Sequence, residues 1–230
     1  MVKNHLKRIA MPRSWQTKRK GIKFITRPNS GAHRFSRGMS LDSIMKQKLG
    51  AETTKEVKAI ASSKDVLVDG IPRRDHRHIV GLFDVVQFPK TKKNYRIILN
   101  RNSKIDVIEN DDKSSNLKPC KIKNKTKLGK DKIQLNLTGG RNLVIKKNAY
   151  AVGDTIIINI PKQEIKEHLP LQKGSFIFLS GGKYSGKMGT IQDIQGKKII
   201  LESTDNKRIE TLKKYSFVIG KDKPMFKVEK

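Results

Sequence analysis

The first 38 residues hold eleven lysines or arginines and no aspartate or glutamate. A stretch of one sign cannot neutralise itself, so it closes no core alone and needs a partner of opposite charge. It also carries Pro12, Pro28 and the scattered rings of Trp15, Phe24 and Phe35, with no sustained helical or strand period. The expectation is an extended basic arm over 1–38 that orders on a polyanion, since phosphates supply the attraction that apolar burial does not. A plain solvated tail has the same charge pattern. Interleaving argues against it: Arg13-Ser14-Trp15, Lys18-Arg19-Lys20, Arg27-Pro28 and His33-Arg34-Phe35 alternate cations with stackable rings and turn residues. A ring stacked on an unpaired base adds about 1–3 kcal/mol to the electrostatic attraction. The candidate contacts here are Lys7, Arg8, Arg13, Trp15, Lys18, Arg19, Lys20, Arg27, His33 and Arg34.

The bias persists along the chain: 51 Lys or Arg against 21 Asp or Glu give a formal charge of +30 in 230 residues, which calls for a polyanionic partner. One cysteine, Cys120, excludes an intrachain disulfide framework and every multi-cysteine zinc site. The longest run without a charged side chain, Gly174 to Gly182, is nine residues, whereas a membrane-spanning helix needs about 18 or more apolar residues. The basic N-terminus lacks the apolar block of a secretory signal. A soluble, unexported chain is expected.

Residues 39–87 are nearly balanced, with eight basic and seven acidic side chains, and a compact module is legible there. Ser40 is an N-cap candidate before Leu41, Ile44, Met45 and Leu49 at helical spacing, and Gly50 is the stop. Thr53 with Glu56 is a capping-box pattern opening a second helix through Val57, Ile60 and Ala61. Val66 to Val68 run into the Asp69-Gly70 turn, and Asp84 to Phe88 read as a later strand. Residues 88–170 show short strand-like runs at 95–99, 105–108, 133–137, 143–145 and 155–160, the spacing of a small β domain. Lys121, Lys123, Lys125 and Lys127 alternate, which places four ammonium groups on one face of an extended segment. An edge strand guarded by lysines has the same pattern. Residues 171–230 hold a strand at Phe176 to Leu179, a loop from Ser180 to Gly189 with glycines at 181, 182, 186 and 189, and strand patterns at 190–194 and 198–202. This reads as a small barrel-like β unit.

The loop from Ser180 to Ile191 resembles a KOW motif, and the helix, helix, sheet module resembles the S4-type RNA-binding domain. Further matches run in order along the chain. His5-Leu6-Lys7-Arg8, Pro12-Arg13-Ser14-Trp15, Arg27-Pro28 and Gly31-Ala32-His33 come first, then Val68-Asp69-Gly70 and Phe83-Asp84-Val85. Cys120-Lys121-Ile122, Val152-Gly153-Asp154-Thr155 and Ile165 follow, then Phe217 to Lys221 with Lys223-Pro224. In this order they resemble the S4e family of archaeal and eukaryotic small-subunit ribosomal proteins. Two places depart from that pattern: Gly38-Met39-Ser40 lacks a proline-rich lead into the first helix, and Asn110 to Asn116 is an acidic, serine-rich loop. The resemblance implies an α+β multi-domain chain with a basic extended N-terminal arm (1–38), an αα-β S4-like RNA-binding domain (39–87), a central small β domain (88–170) and a C-terminal SH3-like β-barrel with the KOW motif (171–230). It implies a structural constituent of the small ribosomal subunit, cytoplasmic, that binds and stabilises small-subunit ribosomal RNA and neighbouring ribosomal proteins in support of translation. No membrane, DNA or second copy of the chain is an expected partner.

Further RNA contacts are expected at Lys55, Lys58, Arg73 and Arg74 near the second helix and hairpin, at Lys121 and Lys123, and at Lys183, Tyr184, Ser185 and Lys187 in the glycine loop. No cofactor, metal or catalytic residue is expected. Cys120 between Pro119 and Lys121 reads as a small core thiol, and His76 and His78 fall on opposite faces if extended, which suits no shared metal. The Arg-Leu-Asp motif of pseudouridine synthases, which share the S4-type module, is absent, as is any G-x-x-x-x-G-K-[ST] loop. A transcription-elongation or RNA-chaperone factor is the alternative function, and a nucleic-acid-modifying enzyme the third.

Overall fold

Ser40 ends an extended segment and starts a helix: its hydroxyl accepts the Ser43 N–H at 3.2 Å, capping α1 (Leu41–Lys48). Thr53 does the same for α2 (Thr54–Ser62), accepting the Glu56 N–H, while the Glu56 carboxylate reaches back to the Glu52 N–H at 3.0 Å. Those bonds hold the Glu56 carboxyl below its usual value. The computed structural model describes residues 4–129, 132–146, 149–221, 223–226 and 228, without the side chain of residue 113. They form two compact units: Met1–Ile98 with Lys104–Asn116, and Leu99–Ser103 with Leu117–Lys230.

In the first unit Asp69 and Gly70, at φ 53° and 72°, make the two-residue turn between Leu67–Val68 and Ile71–Pro72. These strands belong to a five-stranded sheet ordered Ile71–Pro72, Leu67–Val68, Val85–Phe88, Lys93–Leu99 and Ile105–Glu109. The hairpin from Val85–Phe88 to Lys93–Leu99 crosses position 87/88, so the segment after Phe88 begins within this sheet. Gly38–Ser40 pairs antiparallel with Ile79–Gly81. Buried in this unit are Leu41, Ile44, Met45, Val57 and Ala61 of the helices and Val66, Val68, Phe83, Val85 and Ile97.

The acid-free segment is not a free arm. Leu6–Lys7 pairs with Phe24–Ile25, and Leu6, Met11 and Trp15 are buried. Trp15 is 1% exposed, its indole N–H donates to the Gly38 carbonyl at 2.8 Å, and Ser14 accepts the Ile105 N–H at 2.7 Å. Three apolar anchors in the first 15 residues bind the segment to a core that others supply.

The second unit holds two five-stranded antiparallel sheets. One runs Asn142–Ile145, Ile133–Leu137, Leu117–Lys127, Thr155–Asn159, Glu164–Leu169, around Cys120, Ile122, Leu135, Leu137, Ile156, Ile158 and Ile160. The other runs Arg208–Leu212, Lys198–Ser203, Met188–Gln195, Phe176–Leu179, Ser216–Gly220. Register shifts at Ile122/Asn124 and Ile191/Asp193 mark bulges, each of which reverses the inside–outside alternation beyond it.

Candidate nucleic-acid interface

The basic segment of the first unit is cross-linked by its own arginines. Arg8 donates to the Lys18 carbonyl at 3.2 Å, and Arg19 to the carbonyls of Ile9 at 2.7 Å and Met11 at 3.1 Å. Lys7, Arg13, Lys18, Arg19, Lys20 and Arg34 are exposed, and Arg27 lies over the Phe35 ring at 5.7 Å. Arg77 donates through Nε to the Arg27 backbone carbonyl at 3.1 Å, which orients the Arg77 guanidinium, and both side chains belong to the same lining. They line a cleft of about 570 Å³ that also touches Phe24, Gln47 and Arg8, and a smaller one of about 230 Å³ beside Asn29, His33 and Phe35.

Four carboxylates of this unit turn inward, while Glu52, Glu56, Asp75, Glu109, Asp111 and Asp112 stay exposed. Asp42, 2% exposed, accepts the Thr26 hydroxyl at 2.5 Å and pairs with Lys46 at 3.2 Å. Asp69 accepts the Val85 N–H at 3.1 Å; Asp84 accepts the Gly81 N–H at 2.9 Å and pairs with His33 at 2.8 Å; Asp106 pairs with Lys48 at 2.9 Å. His33, expected as a contact, is thereby a fold residue with a side chain 10% exposed. Lys55 and Lys58 are exposed on α2, Arg74 is exposed and Arg73 half-buried. Burial, then the Lys58 charge, holds His76 below the usual imidazole value, and burial, then Arg73, does so for His78. Both rings are therefore neutral near pH 7 and add no cation to that cluster.

Two expected contacts in the second unit prove to be interior. Lys121 is 8% exposed, and its ammonium donates to the carbonyls of Lys213 at 2.9 Å, Lys214 at 3.3 Å and Ser216. Those carbonyls are what cover Lys121, and the bulge at Ile122/Asn124 breaks the alternation beyond it, with Lys123 and Lys127 exposed, so the four lysines do not share a face. Ser185 is 7% exposed, and its carbonyl accepts the Ser103 hydroxyl. Trp15 in the first unit likewise offers no free ring. No sequence signal marks the bulge; a lone Trp near Leu6 and Met11 was a signal for an anchor.

In the glycine loop Lys183 is exposed, and Lys183 and Lys187 lie 5.6 and 6.0 Å from the Tyr184 ring centroid. Lys187 also stands 3.5 Å from Asp205. Two of the glycines are there for the chain's own packing. A β-carbon on Gly186, at φ 88°, would fall 2.0 Å from the Asn100 carbonyl oxygen, and one on Gly189 would fall 2.1 Å from that of Glu202. The arrangement supports electrostatic and stacking contacts rather than bond-making. Cys120 is fully buried, and no group of three or more His, Cys, Asp or Glu suited to a metal occurs among the described residues. Nor is any helix among them long and apolar enough to cross a membrane.

The family model Ribosomal family S4e matches residues 91–165, and the RS4NT domain model matches residues 2–36. The chain is 40% identical over 242 aligned positions to small ribosomal subunit protein eS4 of Methanocaldococcus jannaschii, covering 98% of each. It is 38% identical to small ribosomal subunit protein eS4 of Methanocella arvoryzae, covering 97% of each. Its fold is similar to the crystal structure of the 30S ribosomal protein S4e from Thermoplasma acidophilum, with a TM-score of 0.70 at 24% identity, over 80% of this chain and 95% of that one.

Proposed function

The chain belongs to the S4e family of small ribosomal subunit proteins, which are structural proteins and not enzymes, and from that premise we propose that it binds and stabilises small-subunit ribosomal RNA through phosphate and stacking contacts. The observation that carries this reading is the division of charge in the first unit: four aspartates lie inside while Lys7, Arg13, Lys18, Lys20, Arg34, Lys55, Lys58 and Arg74 stay exposed. Such a face attracts a phosphate backbone without selecting a sequence. The contact set also takes in Arg8, Arg19, Arg27, Arg73, Lys123, Lys183, Tyr184 and Lys187. It leaves out Trp15, His33, Lys121 and Ser185, which are occupied within the fold.

In this reading residues 39–87 act as an S4-like RNA-binding module, residues 88–170 contain the central β domain, and residues 171–230 form an SH3-like barrel with a KOW loop. The partners are ribosomal RNA and neighbouring ribosomal proteins in the cytoplasm, with no DNA, membrane or second copy. The test is sedimentation of a native lysate through a gradient in high salt, probing each fraction for the chain. Co-migration with small subunits that persists is the expected result; presence only in ribosome-free fractions overturns the reading in favour of an accessory RNA factor.

A further inference from the structure

We propose that the larger cleft of the first unit receives one unpaired nucleotide of the RNA, with its base against Phe24 and its phosphate at Arg27 and Arg77; this rests on the RNA-binding reading above. At about 570 Å³ the cleft lies within the roughly 300–1,000 Å³ range of small-ligand sites, too small a volume to enclose a duplex. What fits is a base splayed out of a loop or bulge, the form in which proteins hold RNA bases on aromatic and guanidinium planes.

The lining supplies each part of that recognition. Phe24 keeps 48% of its surface exposed, although Lys23 sits over its ring at 5.6 Å and His5 meets it edge-on. The Thr17 hydroxyl donates to the Gln47 carbonyl oxygen at 2.8 Å, which orients the amide and makes its NH₂ the group that meets a base acceptor. Arg27 and Arg77 line this cleft and the adjoining one of about 230 Å³, so the cations stand where a strand would pass from one to the other. The one carboxylate in the lining, Asp42, is bonded by Thr26 and paired with Lys46, whose charge offsets its own.

The test uses the full chain and two labelled RNA hairpins that differ only by one extra unpaired uridine in the stem, with affinities measured at one fixed salt concentration. The wild type is expected to prefer the bulged hairpin about tenfold, the scale of one base stacked on a ring. Phe24→Ala should abolish that preference and leave affinity for the paired hairpin unchanged, while Phe24→Tyr should keep it. Fluorescence of the buried Trp15 reports that each variant is folded. No preference in the wild type, or a preference that survives Phe24→Ala, overturns the nucleotide site while RNA binding stands. Failure to bind either hairpin overturns the RNA-binding reading and the site with it.

Discussion

Both units carry an excess of basic residues, yet they bury opposite signs. Among the described residues the first unit encloses Asp42, Asp69, Asp84 and Asp106 with a single cation, Arg96; the second encloses Lys118 and Lys121 with a single acid, Asp154. Formal charge therefore understates how basic the surface of the first unit is and overstates it for the second. The interior charges also do different work. Buried carboxylates of the first unit accept backbone N–H groups at 81 and 85, whereas buried Lys121 donates to the carbonyls of a turn. Acids left on the surface of the second unit pair with lysines, as Asp193 does with Lys173 at 2.7 Å and Glu210 with Lys198 at 2.6 Å. A patch of lysines counted in a sequence becomes a phosphate-binding face only where the fold keeps the acids elsewhere.

The sharpest way to break this contrast is Asp84→Ala. It strips the acceptor from the Gly81 N–H and the partner from His33, and a buried donor left unsatisfied costs about 1–3 kcal/mol. Urea unfolding followed by Trp15 fluorescence, the chain's one tryptophan and a probe of the first unit alone, should show that loss. A change near zero would mean that the interior acids are incidental.

The second unit should answer to alkali instead. Burial, then the neighbouring Lys213 charge, pushes the Lys121 ammonium from 10.5 down to about 8. Between those values the unfolded chain holds the extra proton, so stability of this unit rises as pH climbs from about 8 to about 10.5, by no more than about 3 kcal/mol because the three carbonyls offset part of the burial cost. Hydrogen exchange of the 117–127 amides across that window should register the rise in wild type and a flat profile in Lys121→Met; equal slopes would sink the assignment.

Ser40→Ala removes the cap of α1 and should cost about 1 kcal/mol by the same Trp15 readout. The smallest effect is expected of Lys198→Ala, whose partner Glu210 is equally exposed: no measurable shift in Tm. A clear shift there would erase the distinction between interior and surface charge.

Local structure was legible where one residue dictates it. Ser40 and Thr53 start helices, Asp69-Gly70 turns a hairpin, and the apolar runs at 133–137 and 176–179 coincide with strands. The strands Glu164–Leu169 and Arg208–Leu212 were hidden because charged side chains interrupt their alternation. For the interface, exposed Arg13, Lys18, Lys55 and Arg74 followed from composition, since a lone cation stays outside by default. Lys121 and Trp15 did not, because partners about ninety residues away in sequence, the carbonyls at 213–216 and the strand at Ile105, decide their burial. The cleft was invisible for a related reason: Phe24, Gln47 and Arg77 meet only once the chain has folded over α1.

The bridge from Trp15 to Ile105 sets a timetable. In a growing chain the strand that bridges to Trp15 is made some ninety residues after it. Throughout that interval the segment has only its nearer partners, the Phe24–Ile25 pairing and the Gly38 carbonyl. Until Ile105 is made, a nascent chain carries this basic segment without the bridge that later ties it to the sheet.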